Sequence, residues 1–274
     1  MHEWPLLMFT LLLQGAVGLT LFLSLTPDTG RRQRYASHSS TDSLKLPVFI
    51  VCAMAGLGLL ASVFHLGYPL NAFNALRHFS SSWLSREIVF ASLFLAAAGL
   101  SFLAVWFNKS IGKPLLALAL LIGLIDVFCM GQIYMHASVV TWMHANTLVM
   151  FYGTAGIVGA VLAVMLLPLH VSSLPRWAAG VIALVVVIRL FTQIPYMAWL
   201  ADASVNDALT FPHEPLTAFR ALETLRLWGW GISVIGAVLF VTGAIRQRNL
   251  WLWLGGVALL VAEIMLRFAF FSIH

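Results

Sequence analysis

Apolar residues come in long runs along this chain, parted by short polar joints. A helix needs about 20 such residues to cross roughly 30 Å of hydrocarbon. Eight windows reach that length: 6–25, 46–64, 88–107, 114–134, 145–168, 177–195, 228–245 and 250–270. They consume most of the sequence and leave no room for a soluble domain. The expected fold class is an all-α polytopic membrane protein, a bundle of eight transmembrane helices forming a single domain over residues 1–274. Two joints are long, at 26–45 and 196–227. The first window lacks the basic leader of a signal peptide, since only His2 and Glu3 precede its aromatic start. It also shows no small-residue cleavage site, so it reads as a retained helix.

Composition agrees with this reading. The chain is 61% hydrophobic and 9% charged, against about 25% charged in an average soluble domain. A water-soluble globule and a disordered chain are excluded. The net charge of +5 does not mark a nucleic-acid binder, because the basic residues are scattered over the joints between apolar runs. Cys52 and Cys129 are too few and too far apart for a disulfide framework or a thiolate-held cluster. The sequence carries no convincing internal repeat.

The basic residues set the orientation. The joints after windows 1, 3, 5 and 7 carry nine Lys and Arg, those on the opposite side four, and Arg189 and Arg267 lie within windows. Basic joints stay in the cytoplasm, so both termini are expected on the outer, periplasmic side. At a rise of about 1.5 Å per residue, Asp126 and Arg189 then lie about 18 Å above the inner end, Glu263 about 20 Å and Arg267 about 26 Å. Glu87 opens the third window and His65 closes the second, both at the outer boundary. The ionisable groups thus occupy the outer half, and the inner half is apolar. A channel or pump would need polar groups through the full thickness. A secondary transporter would need broken helices around a midplane site.

Intramembrane ionisable groups are costly and mark function by default, yet each has a structural reading. Glu263 and Arg267, at i and i+4, are spaced for an ion pair on one helix face. Arg189, with Gln193 four residues on, suits bonding to carbonyls of a neighbouring helix. Asp126 reads equally as a buried structural carboxyl, and Gln14 as a link between helices. Trp4, Trp83, Trp142, Trp177, Trp199 and Trp228 lie near window ends and read as interfacial belt residues. The nine histidines all fall at or beyond window ends, which argues against a haem held between paired histidines inside the membrane. The cysteine count excludes an iron–sulfur cluster on this chain.

The densest polar stretch runs from His65 through Tyr68, Pro69, Asn71, Asn74 and Arg77 to Ser85, Arg86 and Glu87. Gly67, Pro69 and Asn71 favour a turn, and Ser85 is placed as a helix N-cap with Glu87 in the first turn. An imidazole and a carboxylate meet there at one depth, a pair able to accept two protons. A plain capped turn between helices is the competing reading.

In this stretch the sequence resembles a known family. His2-Glu3-Trp4-Pro5-Leu6, His65-Leu66-Gly67 followed by Pro69, Ala72-Phe73-Asn74, and Leu84-Ser85 with Glu87-Ile88 resemble the membrane anchor subunit of bacterial dimethyl sulfoxide reductase. The eight-span plan and Glu263 with Arg267 fit the same likeness, which covers most of the chain and is strongest in its first third. The resemblance implies an inner-membrane anchor without haem that oxidises menaquinol. It implies partners as well, a four-cluster iron–sulfur subunit and a molybdopterin catalytic subunit, docked on the periplasmic side toward loops 65–87 and 196–227. It ties His65 and Glu87 to the quinol site, with Arg77, Arg86, Asn71 and Tyr68 around them; the arginines would neutralise Glu87 or meet acidic groups of the partner. Asp126, Arg189, Glu263 and Arg267 take structural or proton-path roles, and no residue is assigned to a metal. The likeness is looser over 131–142 and over 196–227, where Pro212-His213-Glu214-Pro215 stands out. The terminal acceptor is left open among dimethyl sulfoxide, an N-oxide, selenate and a sulfur oxyanion. A purely structural anchor is the rival function.

Overall fold

A computed structural model of the chain describes residues 4–25, 39–65, 76–109, 111–167, 173–206 and 214–273, with the side chains of 39–43, 64–65, 76 and 204–206 outside that description. The described residues form nine α-helices: α1 (Trp4–Leu25), α2 (Ser39–His65), α3 (Trp83–Trp106), α4 (Gly112–Met135), α5 (Asn146–Leu166), α6 (Leu174–Asn206), α7 (Pro215–Ala221), α8 (Glu223–Arg246) and α9 (Asn249–Phe271). All but the short α7 are long and apolar enough to cross a membrane, which makes the eight expected spans. With an even number of crossings, the start of α1 and the finish of α9 share one end of the bundle, the terminal end.

The spans occupy their expected places but not their expected limits. Window 177–195 stops at Pro195, yet α6 carries that proline in its interior and continues to Asn206. Proline removes one backbone donor, a loss that membrane helices tolerate through neighbouring groups. The long joint expected at 196–227 is therefore mostly helical: it holds the last turns of α6, all of α7 and the first turn of α8. Pro47 likewise lies inside α2, which begins at Ser39. Helix α3 starts five residues before its window. Its N-cap is Ser82, whose hydroxyl accepts the Ser85 amide at 3.4 Å. Ser85 is thus inside the helix, and the expected cap is corrected by one turn; Glu87 follows as its fifth residue.

Helices α1 and α5 are the most buried spans and form the axis of the bundle. Around α1 pack α2, α4, α5 and α9, while α5 touches α1, α4, α6 and α9. The first four helices make one group and α5 to α9 the other, joined where α1 crosses α5. That crossing needs glycine. A Cβ on Gly18 would stand 1.8 Å from the Ala155 carbonyl oxygen, and one on Gly159 would stand 2.2 Å from the Gly18 carbonyl carbon. Small residues let membrane helices approach this closely.

Polarity runs inward. Leu57, Leu60, Leu100, Leu121, Phe191 and Ile194 point outward and are exposed, whereas Gln14, Asp126, Thr154, Arg189, Glu263 and Arg267 are buried. This inverts the soluble pattern and suits a surface bathed in lipid.

Candidate functional site

Among the described residues two polar centres lie in the bundle, one joining both helix groups and one within the first. The larger joins five helices. Arg189 of α6 donates from Nη1 to Glu263 Oε1 of α9 at 2.5 Å and from Nη2 to the Met150 carbonyl of α5. Thr154 of α5 holds the middle: its hydroxyl lies 2.7 Å from Glu263 Oε2 and accepts from Arg189 Nη2 at 2.8 Å and Arg267 Nη2 at 2.9 Å. A hydroxyl has one proton and two lone pairs, so Thr154 is saturated. Arg267 also donates to Gln14 Oε1 at 2.5 Å, and Gln14 Nε2 lies 3.0 Å from the Met130 sulfur. The Arg267 guanidinium rests 4.2 Å from the centre of the Phe151 ring, a cation–π contact.

This arrangement corrects one expectation and sustains two. Glu263 does not form its ion pair with Arg267 one turn away; its ion partner is Arg189, from another helix. The reason is position, since Arg267 turns toward α1 and α5, where Gln14 and Thr154 accept its protons. Arg189 does bond to a carbonyl of a neighbouring helix, and Gln14 does link helices. Two donors remain unused: Arg189 Nε and Arg267 Nη1 are buried without a hydrogen-bond partner.

The second centre is the expected His65–Glu87 region. His65 ends α2 and Glu87 lies in the second turn of α3, neighbouring helices whose corresponding ends both lie at the terminal end of the bundle. Glu87 is only 5% exposed, and among the described residues it has no hydrogen bond or ion pair. The imidazole of His65 lies outside the described residues, as do Tyr68 and Asn71. Arg77 is exposed. Arg86 does not neutralise Glu87. It donates to the carbonyls of Phe79 at 3.0 Å and Ser80 at 2.6 Å and stacks 4.1 Å over the Trp83 ring, so it pins the turn that leads into α3. Asp126 of α4 lies within electrostatic reach of Glu87. It is fully buried, and both of its carboxyl oxygens lack a partner. Among the described residues no group of three His, Cys, Asp or Glu could hold a metal ion.

Sequence reasoning missed a third feature, a narrow cleft at the terminal end of the second helix group. Its walls come from the joint between α4 and α5 and from α5, α6, α7, α8 and α9, and include Trp142, Asn146, Gln193, Tyr196, Phe219, Arg226 and Trp230. Trp142, expected in an interfacial belt, is built into this wall. Its indole N–H donates to the Phe270 carbonyl at 2.8 Å and its ring stacks on Phe270. A signal was available in the i, i+4, i+8 series Asn146, Met150, Thr154, which puts three contributors to the cleft and the ion network on one face of α5.

The fold and its buried polar centres define a multi-pass helical membrane protein with its charge gathered inside the bundle. The protein belongs to the DMSO reductase anchor subunit family (DmsC), which it matches over residues 1–273. It is similar to the YnfH subunit of the anaerobic dimethyl sulfoxide reductase of Escherichia coli K12, with 28% identity over 281 residues. It is also similar to the C subunit of anaerobic dimethyl sulfoxide reductase from Haemophilus influenzae, at 29% over 286 residues, and from E. coli K12, at 26% over 284. Each comparison covers 100% of this sequence and 95% of the relative. No solved structure matches it.

Proposed function

We propose that this anchor oxidises menaquinol at the terminal ends of α2 and α3, in a bacterial inner membrane with both termini periplasmic. The observation that carries the reading is Glu87, a buried carboxyl without a partner among the described residues, one helix away from the residue that closes α2. A carboxyl not engaged by its own protein is available to a ligand's hydroxyl, and a histidine titrating near neutrality is a natural second base. Menaquinol enters from the lipid and leaves as menaquinone, giving up two protons and two electrons. His65 and Glu87 take the protons, with Asp126 behind Glu87 as a further carboxyl on the path. The electrons pass to a four-cluster iron–sulfur subunit and on to a molybdopterin subunit that reduces dimethyl sulfoxide or a related acceptor. Tyr68 and Asn71 contribute to headgroup binding, and exposed Arg77 meets the docked partner.

In this reading His65→Ala and Glu87→Gln each lower quinol-driven substrate reduction by at least about 100-fold, the scale of a lost general base. Reduction driven by a dye that feeds the iron–sulfur subunit directly stays normal, as does the amount of assembled complex. Quinol-driven turnover at the unsubstituted rate in both variants would instead favour a purely structural anchor.

A further inference from the structure

The cleft of the second helix group has features of a ligand site that the chemistry at Glu87 does not use. Its floor is electrically unbalanced. Two guanidinium groups, Arg189 and Arg267, converge on Thr154, and Glu263, paired with Arg189, is the one carboxylate in the network. Arg267 Nη1, buried and unpartnered, belongs to a residue lining a void of about 10 Å³, the size of one water at most. That cavity shares Met150, Leu266 and Phe270 with the cleft above it. A buried site with surplus positive charge attracts the oxygen end of a ligand dipole. Higher in the cleft, Thr141 is 3% exposed and its hydroxyl makes no hydrogen bond. An unmet buried hydroxyl beside an open cleft needs a partner that the protein does not supply.

The walls select the kind of partner. Trp142, Tyr196, Phe219 and Trp230 line it with aromatic rings, and Asn146 and Gln193 with amides, which are joined by a 3.3 Å hydrogen bond from Gln193 Nε2 to Asn146 Oδ1. The cation at the rim, Arg226, is already committed: it donates to the Phe219 carbonyl at 2.5 Å and lies against the Phe219 ring. A phospholipid phosphate would call for free cations here. A flat ring with oxygens at its edge and an apolar tail calls for what is present. We infer that the cleft bounded by α5, α6, α8 and α9 is a second site for a quinone-class headgroup, separate from the α2–α3 end. One edge oxygen lies toward the arginine floor, and the ring lies between the aromatic walls.

The test uses the whole membrane complex and a photoreactive naphthoquinone bearing a diazirine. Mass mapping is expected to find adducts within 141–150 or 193–230, and these persist in Glu87→Gln. Thr141→Val keeps the side-chain shape and removes the unmet hydroxyl, while Gln193→Leu removes the amide. Each lowers the apparent affinity for labelling in the cleft about fivefold, the worth of one hydrogen bond, and leaves adducts near α2 and α3 unchanged. Adducts confined to the α2–α3 region, a complete lack of adducts, or cleft labelling indifferent to both variants would overturn the proposal. Adducts in the cleft alone would uphold this site and count against the one at Glu87.

Discussion

His144 acts as a hydrogen-bond acceptor, which ties it to one protonation state. Its Nδ1 accepts the backbone amide of Asn146 at 3.0 Å, at the start of α5, and its ring packs 5.1 Å from that of Trp199 and 5.5 Å from that of Tyr196. Burial lowers its pKa below the ordinary 6.5. A folded-state pKa below the unfolded one means that protons bind the unfolded polypeptide more readily. The contribution of His144 is therefore complete above about pH 6.5 and is lost as pH falls through the lowered value. Thermal melts of the complex from pH 8 to pH 5 should show a steeper acid loss for the natural protein than for His144→Asn, whose amide accepts the same bond without titrating. Equal acid loss in both would remove His144 as the cause. At this scale the sequence was legible only in part. The cost of burying Arg189, Glu263 and Arg267 marks them wherever they stand. Which of them pair was hidden, because Arg189 and Glu263 are 74 positions apart while the i+4 neighbour looked adequate. Thr154, the hydroxyl at the centre of the network, is unremarkable in a helix until its three partners converge on it.

Among the helices, legibility followed hydropathy. A run of apolar residues declares a span without reference to any neighbour, so all eight were readable. Their ends were not, because Pro47 and Pro195 are breakers in water and are tolerated inside a bundle, and because Ser82 competed with Ser85 for the cap of α3. The contact between α1 and α5 was not readable either, since glycines are frequent in every membrane helix. The structure separates the glycines that matter from those that do not. Gly18 and Gly159 sit backbone against backbone, whereas a Cβ on Gly56 or Gly180 would meet nothing within 4 Å. Gly18→Val should therefore destabilise the subunit by about 3 kcal/mol or more, the upper range for overpacking. Gly180→Ala should stabilise it by about 0.5–1 kcal/mol through helix propensity alone. Melting temperature and the yield of assembled complex measure both. Equal behaviour of the two variants would show that the α1–α5 crossing is not the axis on which the halves are held.

For the whole molecule, one coordinate organises the rest: the distance from the terminal end. Glu87, the cleft and the ion network all lie nearer that end, while the opposite end is rimmed by Lys109, Lys113, Arg176, Arg246 and Arg248. If that basic rim faces the cytoplasm, the quinol oxidation proposed above releases its protons on the periplasmic side, where the proposed partner on the terminal end would receive the electrons. The orientation can be read with single cysteines on a background with Cys52 replaced by serine. Ser138 lies in the joint between α4 and α5 and Gln247 in the joint between α8 and α9, and both are exposed. A membrane-impermeant maleimide applied to intact spheroplasts is expected to modify Ser138→Cys and to spare Gln247→Cys until the membrane is opened. Labelling must be done with and without the partner subunits, because a partner seated on the terminal end shields Ser138→Cys only when it is present. The reverse pattern, with Gln247→Cys modified from outside, would place Glu87 and the cleft toward the cytoplasm. The quinol oxidation proposed at Glu87 would then release its protons into the cell, and the partner subunits would have to dock there.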